Sequence, residues 1–259
     1  MNPFLKFLND HHELVLTFAA FAAGTVDAIA GGGGLITVPA LFNLFPPQYA
    51  LGTNKGQAVF GASAALWRYG RAGLIDVKRA IPGFFLGFLG SLGGVWLVLR
   101  IDNRILKPMV LALLVGVAVY VALQKNGPQQ KSVLVTDSRR FWANALCLGI
   151  GFYDGFLGPG TGMFLIVGFV TILGDTLQSA SANAKAVNSG SNLAALIVFA
   201  SHGLILWPYA VPMAAAQFIG GWLGAHLSVR VGSGLVRKVL LVASFGMMAK
   251  IGYELIRGR

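Results

Sequence analysis

Charge interrupts apolar sequence in two places that could do chemistry. Asp27 is followed four residues later by Gly31-Gly32-Gly33-Gly34, and Asp154 four residues later by Gly158-Pro159-Gly160-Thr161-Gly162. Glycine accepts nearly any backbone angle and weakens a helix by about 1 kcal/mol per residue, so an apolar helix is expected to stop at each run. A helix broken inside lipid frees N–H and C=O groups that hydrocarbon cannot satisfy. Such backbone persists where protein buries it or where water and solute line it, as at a transport site.

The second constellation is Gly52-Thr53-Asn54-Lys55-Gly56-Gln57 and its relative Ala182-Asn183-Ala184-Lys185-Ala186-Val187-Asn188. Each is read as a cation with amide side chains at the start of a helix, where free N–H groups and the positive dipole end favour an anion. The candidate anion site therefore comprises Thr53, Asn54, Lys55 and Gln57 with Asn183, Lys185 and Asn188. Gly31, Gly32, Gly33 and Gly34, with Gly158, Gly160 and Thr161, would add backbone from the two breaks. The competing reading is that Lys55 and Lys185 snorkel to lipid headgroups. Asp27 and Asp154 carry two readings: coupling carboxylates that take up a proton, or structural ones that cap free N–H groups of the next half-helix. Asn188 and Asn192 share a helix face and could line a polar path or bond between helices.

Elements that hold these residues must cross a bilayer. Of 259 residues, 56% are hydrophobic and only 11% charged, with a mean hydropathy of +0.70, whereas soluble domains carry roughly 25% charged residues. Residues 80–99 hold no charge over about the 20 residues that span a bilayer core. The net charge of +11 comes from short loops between apolar runs, which fits membrane topology and excludes nucleic acid as the partner. Residues 14–24 resemble a signal-peptide core, yet Asp10 and Glu13 precede them in place of a basic segment, so cleavage is not expected.

The chain repeats itself. Asp27 and Asp154 lie 127 apart, as do Gly31 and Gly158, while Lys55 with Lys185, Pro82 with Pro212, Gly90 with Gly220 and Gly94 with Gly224 lie 130 apart. The expected fold is all-α: a polytopic integral membrane protein of two internal repeats, each a broken or re-entrant helical hairpin plus three transmembrane helices. The first copy places them at 14–30 and 35–45, then 56–67, 80–99 and 106–123; the second at 142–157 and 163–173, then 186–201, 208–229 and 235–256. The domains are thus 1–123, a cytoplasmic linker at 124–141, and 142–259. Residues 68–79 carry Arg68, Arg71, Lys78 and Arg79, whereas 201–207 carry no Lys or Arg, so the repeats are expected to be inverted. Trp67, Trp142 and Trp207 read as interfacial anchors, Trp96 and Trp222 as packing residues, and Gly83, Gly87, Gly90 and Gly94 as a close helix contact.

Enzymatic chemistry is not expected. His11, His12, His202 and His226 have no metal-ligand spacing, the single cysteine, Cys147, builds no cage, and no phosphate-loop Lys-Ser or Lys-Thr follows the glycines. No cofactor or metal is expected.

The stretch Gly24-Thr25-Val26-Asp27 through Gly31–Gly34 to Pro39, followed by Ala50-Leu51-Gly52-Thr53-Asn54-Lys55, resembles the TauE/SafE, or sulfite exporter, family of bacterial membrane permeases. Gly151-Phe152-Tyr153-Asp154-Gly155-Phe156-Leu157-Gly158-Pro159 with Ala182-Asn183-Ala184-Lys185 resembles its second half, particularly the uncharacterised inner-membrane branch. The resemblance implies a multi-pass inner-membrane carrier or exporter of sulfite, sulfonates or related organic anions. The partners expected are a lipid bilayer, a small anionic solute and a coupling proton or sodium, with a homodimer left open. Pro159 and Thr161 stand where the first copy has Gly32 and Gly34, so the halves need not play identical roles. A non-transporting membrane scaffold and a passive anion channel are the alternatives.

Overall fold

The computed structural model describes residues 12–123, 134–235 and 239. Nine helices run through them: α1 (His12–Ala30), α2 (Gly34–Phe42), α3 (Pro47–Arg71), α4 (Val77–Val98), α5 (Asn103–Leu123), α6 (Asp137–Phe156), α7 (Thr161–Leu173), α8 (Leu177–Ser201) and α9 (Trp207–Val231). The fold is all-α, and the hairpins break at the expected glycines. Residues 124–133 of the expected linker and nearly all of the helix expected at 235–256 lie outside the described residues, and α6 opens at Asp137, inside 124–141.

Two boundaries differ with consequence. Helices were expected to start beside Lys55 and Lys185; instead α3 starts at Pro47 and α8 at Leu177, each a little over two turns earlier. The polar runs 52–57 and 182–188 are helix interior, because a buried backbone must bond to itself whatever its side chains. Pro46 precedes the first turn of α3, where Pro47 needs no N–H donor, and Thr176 caps α8 by accepting the Ser179 N–H.

The half-helices are short. α2, at nine residues, extends about 14 Å at 1.5 Å per residue, less than half a hydrocarbon core. Among the described residues, α1 and α4 are long and apolar enough to cross a membrane. The distribution of polarity is inverted relative to a soluble protein. Phe18, Ile81, Phe85, Leu89 and Val211 face outward, while Thr53, Lys55, Gln57, Lys185 and Ser191 are buried. Trp67, Trp142 and Trp207 are exposed at helix ends as expected. Trp96 and Trp222 correct the packing expectation: both are exposed, the first with the Arg100 guanidinium 3.5 Å over its ring and the second stacked on His226.

Contacts recur at the repeat spacing. Gln48 donates through Nε2 to Val98 O and Ile101 O, and its backbone N–H bonds to Asn103 Oδ1; Gln178 likewise donates to Ser228 O and Val229 O, and its N–H bonds to Ser233 Oγ. A methyl group at Gly90 would overlap Leu148 O, and one at Gly220 would overlap Phe21 O, so α4 presses on α6 as α9 presses on α1. These close approaches match the expected use of the glycine stripe.

The equivalent helices α3 and α8 run antiparallel. Gly52, early in α3, abuts Leu204 and Phe199 at the end of α8, whereas Tyr69, late in α3, clusters with Ala182 near the start of α8. Two ends of the bundle follow. One, the basic end, gathers the α3–α4 turn, the start of α6, the α7–α8 turn and the end of α9, tied by the bond from Asp76 N–H to Asn183 Oδ1, by Arg139 Nη1 on Ile172 O, and by Gln178 on Ser228 O. The other holds the α2–α3, α4–α5 and α8–α9 turns, tied by Gln48 on Ile101 O and by Leu206 N–H on Thr53 Oγ1.

Candidate functional site

The two glycine breaks meet. Gly31, at φ 78°, packs its backbone on that of Gly162, so closely that a methyl at either would overlap the other, and Gly34 lies against Pro159. Only glycine combines that left-handed φ with that approach. Tyr153 braces the second break through its hydroxyl, which donates to Pro159 O.

Both carboxylates face lysines of the opposite repeat. Lys55 Nζ lies 2.8 Å from Asp154 Oδ1, and Lys185 Nζ lies 2.8 Å from Asp27 Oδ2. The lysine side chains are 2% and 0% exposed, which removes the headgroup reading. Each aspartate also closes its own break. Asp27 Oδ1 accepts the Gly33 N–H at 3.2 Å, and Asp154 accepts from the hydroxyls of Thr161 and Ser191. Burial of an ion costs several kcal/mol, and a partner at this distance with further hydrogen bonds offsets it.

A small cavity opens where the pieces converge, with room for about 30 Å³ of solvent. Of the residues expected at the site, it is lined by Gly31, Gly34, Asn54, Lys55, Gly158, Thr161 and Asn188, together with Asp27 and Asp154. Thr37, Ala58, Gly162, Asn192 and Gln217 complete the wall. Asn54 Oδ1 accepts from both Thr37 Oγ1 (2.6 Å) and Gln57 Nε2 (3.0 Å), which leaves its Nδ2 as the group to offer the cavity. Asn188 Oδ1 and Gln217 Oε1 are buried without a hydrogen-bond partner among the described residues. Unpaired buried amide oxygens cost about 1–3 kcal/mol each, which water or a solute that carries a hydrogen-bond donor can recover.

Other expected residues do different work. Lys185 reaches the site through Asp27, and Gln57 through Asn54. Thr53 and Asn183 are not in the cavity: Thr53 Oγ1 accepts the N–H of Leu206, and Asn183 Oδ1 that of Asp76, so each fixes the start of a helix from the other half. Gly32, Gly33 and Gly160 stand outside the wall; Gly33 donates to Asp27, and Gly160 packs on Val117. The expectation that Lys55 and Lys185 sit on free helix N–H groups is corrected, since both lie in helix interior. The helix starts at this cavity are those of α2 and α7, through Gly34, Thr161 and Gly162. Gln217 was missed; its one signal is an amide in the middle of the otherwise apolar stretch 208–225.

The profile of the family described as sulfite exporter TauE/SafE matches residues 16–251. A probable membrane transporter protein of Haemophilus influenzae is 38% identical over 247 residues, covering 93% of this chain and 94% of its own. A probable membrane transporter protein of Sinorhizobium (ORF9) is 36% identical over 243 residues, covering 93% and 92%. The probable membrane transporter protein YfcA of Escherichia coli K12 is 35% identical over 246 residues, covering 93% and 89%. No solved structure matches the chain.

Proposed function

This chain belongs to the TauE/SafE family of membrane transporters, and from that premise we propose that it is a multi-pass carrier or exporter of small anions in the bacterial inner membrane. Sulfite, sulfonates and related organic acids are the substrate class. The observation that carries this reading is the crossing of Lys55 to Asp154 and Lys185 to Asp27 beside a polar cavity where two glycine breaks touch. In a bilayer, such chemistry at mid-depth is costly unless it has work to do. The repeats are inverted, with the basic end in the cytoplasm. Arg68, Arg71, Lys78 and Arg79 at that end support this orientation.

The electrostatics suggest how an anion is accommodated. Each ammonium is already paired with a carboxylate, so an arriving anion brings an uncompensated charge into a buried site, at a cost of several kcal/mol. A coupling cation that enters with the anion, a proton or sodium, restores neutrality and frees a lysine to bind it. Asn54 Nδ2 and the starts of α2 and α7 supply further positive partial charge.

Counterflow in proteoliposomes tests the class. Unlabelled sulfite or methanesulfonate trapped inside accelerates uptake of the labelled anion by a carrier. A channel shows no such acceleration, and a scaffold moves nothing; either result contradicts the proposal.

A further inference from the structure

At the basic end, Arg79 Nη1 reaches both oxygens of Asp175, at 2.9 and 3.1 Å, while its Nε holds Asp76 at 2.6 Å. This fork joins the first turn of α4, in the first half, to the α7–α8 turn of the second. Asp175 precedes the N-cap Thr176, and Arg79 follows the N-cap Asp76 by three residues. The positions 130 residues away are Phe45, which precedes the N-cap Pro46, and Tyr209, which follows the N-cap Leu206 by three. Phe45 and Tyr209 are also in contact, with ring centroids 4.9 Å apart. The same inter-half junction thus occurs at both ends of the bundle, as an ion pair at one and an aromatic pair at the other.

Both junctions are tied to the central site through one helix each. Asn183 accepts the N–H of Asp76 and lies two residues before Lys185; Thr53 accepts the N–H of Leu206 and lies two residues before Lys55. A shift of either lysine segment therefore pulls on the start of the helix that carries a junction. A cavity of about 360 Å³ lies on the basic side, its wall including Arg79, Asp175, Lys78, Arg140 and Asn144. The central cavity has about a tenth of that volume, and neither junction lines it.

We propose that Arg79–Asp175 and Phe45–Tyr209 are the two gates of the carrier, one at each end, and that anions reach the central site from the basic side only when Arg79 lets go of Asp175. The inference rests on the carrier reading. An anion in the basic-side cavity competes with Asp175 for the Arg79 guanidinium, because both present oxygens to the same fork. The aromatic gate has no charge for an anion to displace, so an anion that competes for the guanidinium acts on the first end and leaves the second.

The test places one cysteine in the central wall, Ala58→Cys, in a Cys147→Ala background, and measures its labelling by a membrane-impermeant thiol reagent from each side of oriented vesicles. Asp175→Asn and Arg79→Gln are expected to speed labelling from the basic side at least tenfold and leave the other side unchanged. Tyr209→Ala and Phe45→Ala are expected to do the reverse. Using two variants per gate keeps the test open if one misfolds. Labelling that stays unchanged, is absent throughout, or rises equally from both sides overturns the gates. Labelling does not need transport: a parent protein that fails counterflow while its labelling follows this pattern contradicts the carrier reading and leaves the two closures standing.

Discussion

Lys55 and Asp154 meet at 2.8 Å although they come from opposite halves of the chain, and both are almost wholly buried. Because Lys185 and Asp27 repeat that meeting with the halves exchanged, each half's cation depends on the other half's carboxylate. Breaking one such pair strands a buried charge, at a cost of about 3–5 kcal/mol. Lys55→Met alone should therefore lower thermal stability in detergent strongly. Lys55→Met combined with Asp154→Asn, which removes the stranded charge and keeps one acceptor oxygen for Thr161 or Ser191, should recover most of the loss. Equal destabilisation by the single and double variants would mean that the pair is not coupled.

The meeting of the breaks is equally specific. Gly31 and Gly73 share a left-handed φ, at 78° and 69°, but Gly31 is pressed on Gly162, whereas nothing lies within 4 Å of a methyl at Gly73. Gly73→Ala should cost about 1–2 kcal/mol for its backbone alone. Gly31→Ala should cost above about 4 kcal/mol, in the range reserved for overpacked cores. Similar unfolding temperatures for the two variants would contradict the contact between the breaks.

Gln217 and Asn188 separate site from scaffold. Their unpartnered oxygens leave nothing stranded in the protein when removed, unlike Thr37, whose hydroxyl helps to hold Asn54. Gln217→Leu should keep its unfolding temperature within a few degrees and change the apparent affinity for sulfite by roughly tenfold, about 1.4 kcal/mol. Unchanged uptake kinetics would remove Gln217 from the site.

The two carboxylates around Arg79 titrate in opposite senses. Burial raises Asp175 above its ordinary value and outweighs the Arg79 hydrogen bond and charge, whereas for the more exposed Asp76 the Arg79 bond and charge, with two backbone N–H groups, outweigh burial and hold it below. Asp76 therefore contributes stability that is present above the ordinary aspartate value of about 3.9 and is lost as pH falls through its depressed value. Asp175 has the opposite sign: its contribution is full below the ordinary value and is lost as pH rises through the raised one. Asp76→Asn should lower the unfolding temperature at pH 7, with the deficit closing in acid. Asp175→Asn should lower it less at pH 7. The reverse order would contradict these assignments.

Sequence alone placed the two helix breaks and the carboxylate that precedes each, because glycine runs and isolated charges in apolar sequence are local signals. It misplaced the starts of α3 and α8, since Pro46-Pro47 and the polar run 179–188 look like loop until burial demands a helix. It could not pair Lys55 with Asp154 or Lys185 with Asp27, because those contacts cross 99 and 158 residues of chain and depend on how the halves interleave. For the same reason Thr53 and Asn183 read as ligands when each fastens a helix start of the other half.

The central claim is that the crossed ammonium groups bind the transported anion. The direct measurement is uptake of labelled sulfite and methanesulfonate by liposomes containing Lys55→Met/Asp154→Asn or Lys185→Met/Asp27→Asn protein that elutes as folded material on size exclusion. The account predicts uptake no greater than in empty liposomes for both; uptake at the parent rate in either would contradict it.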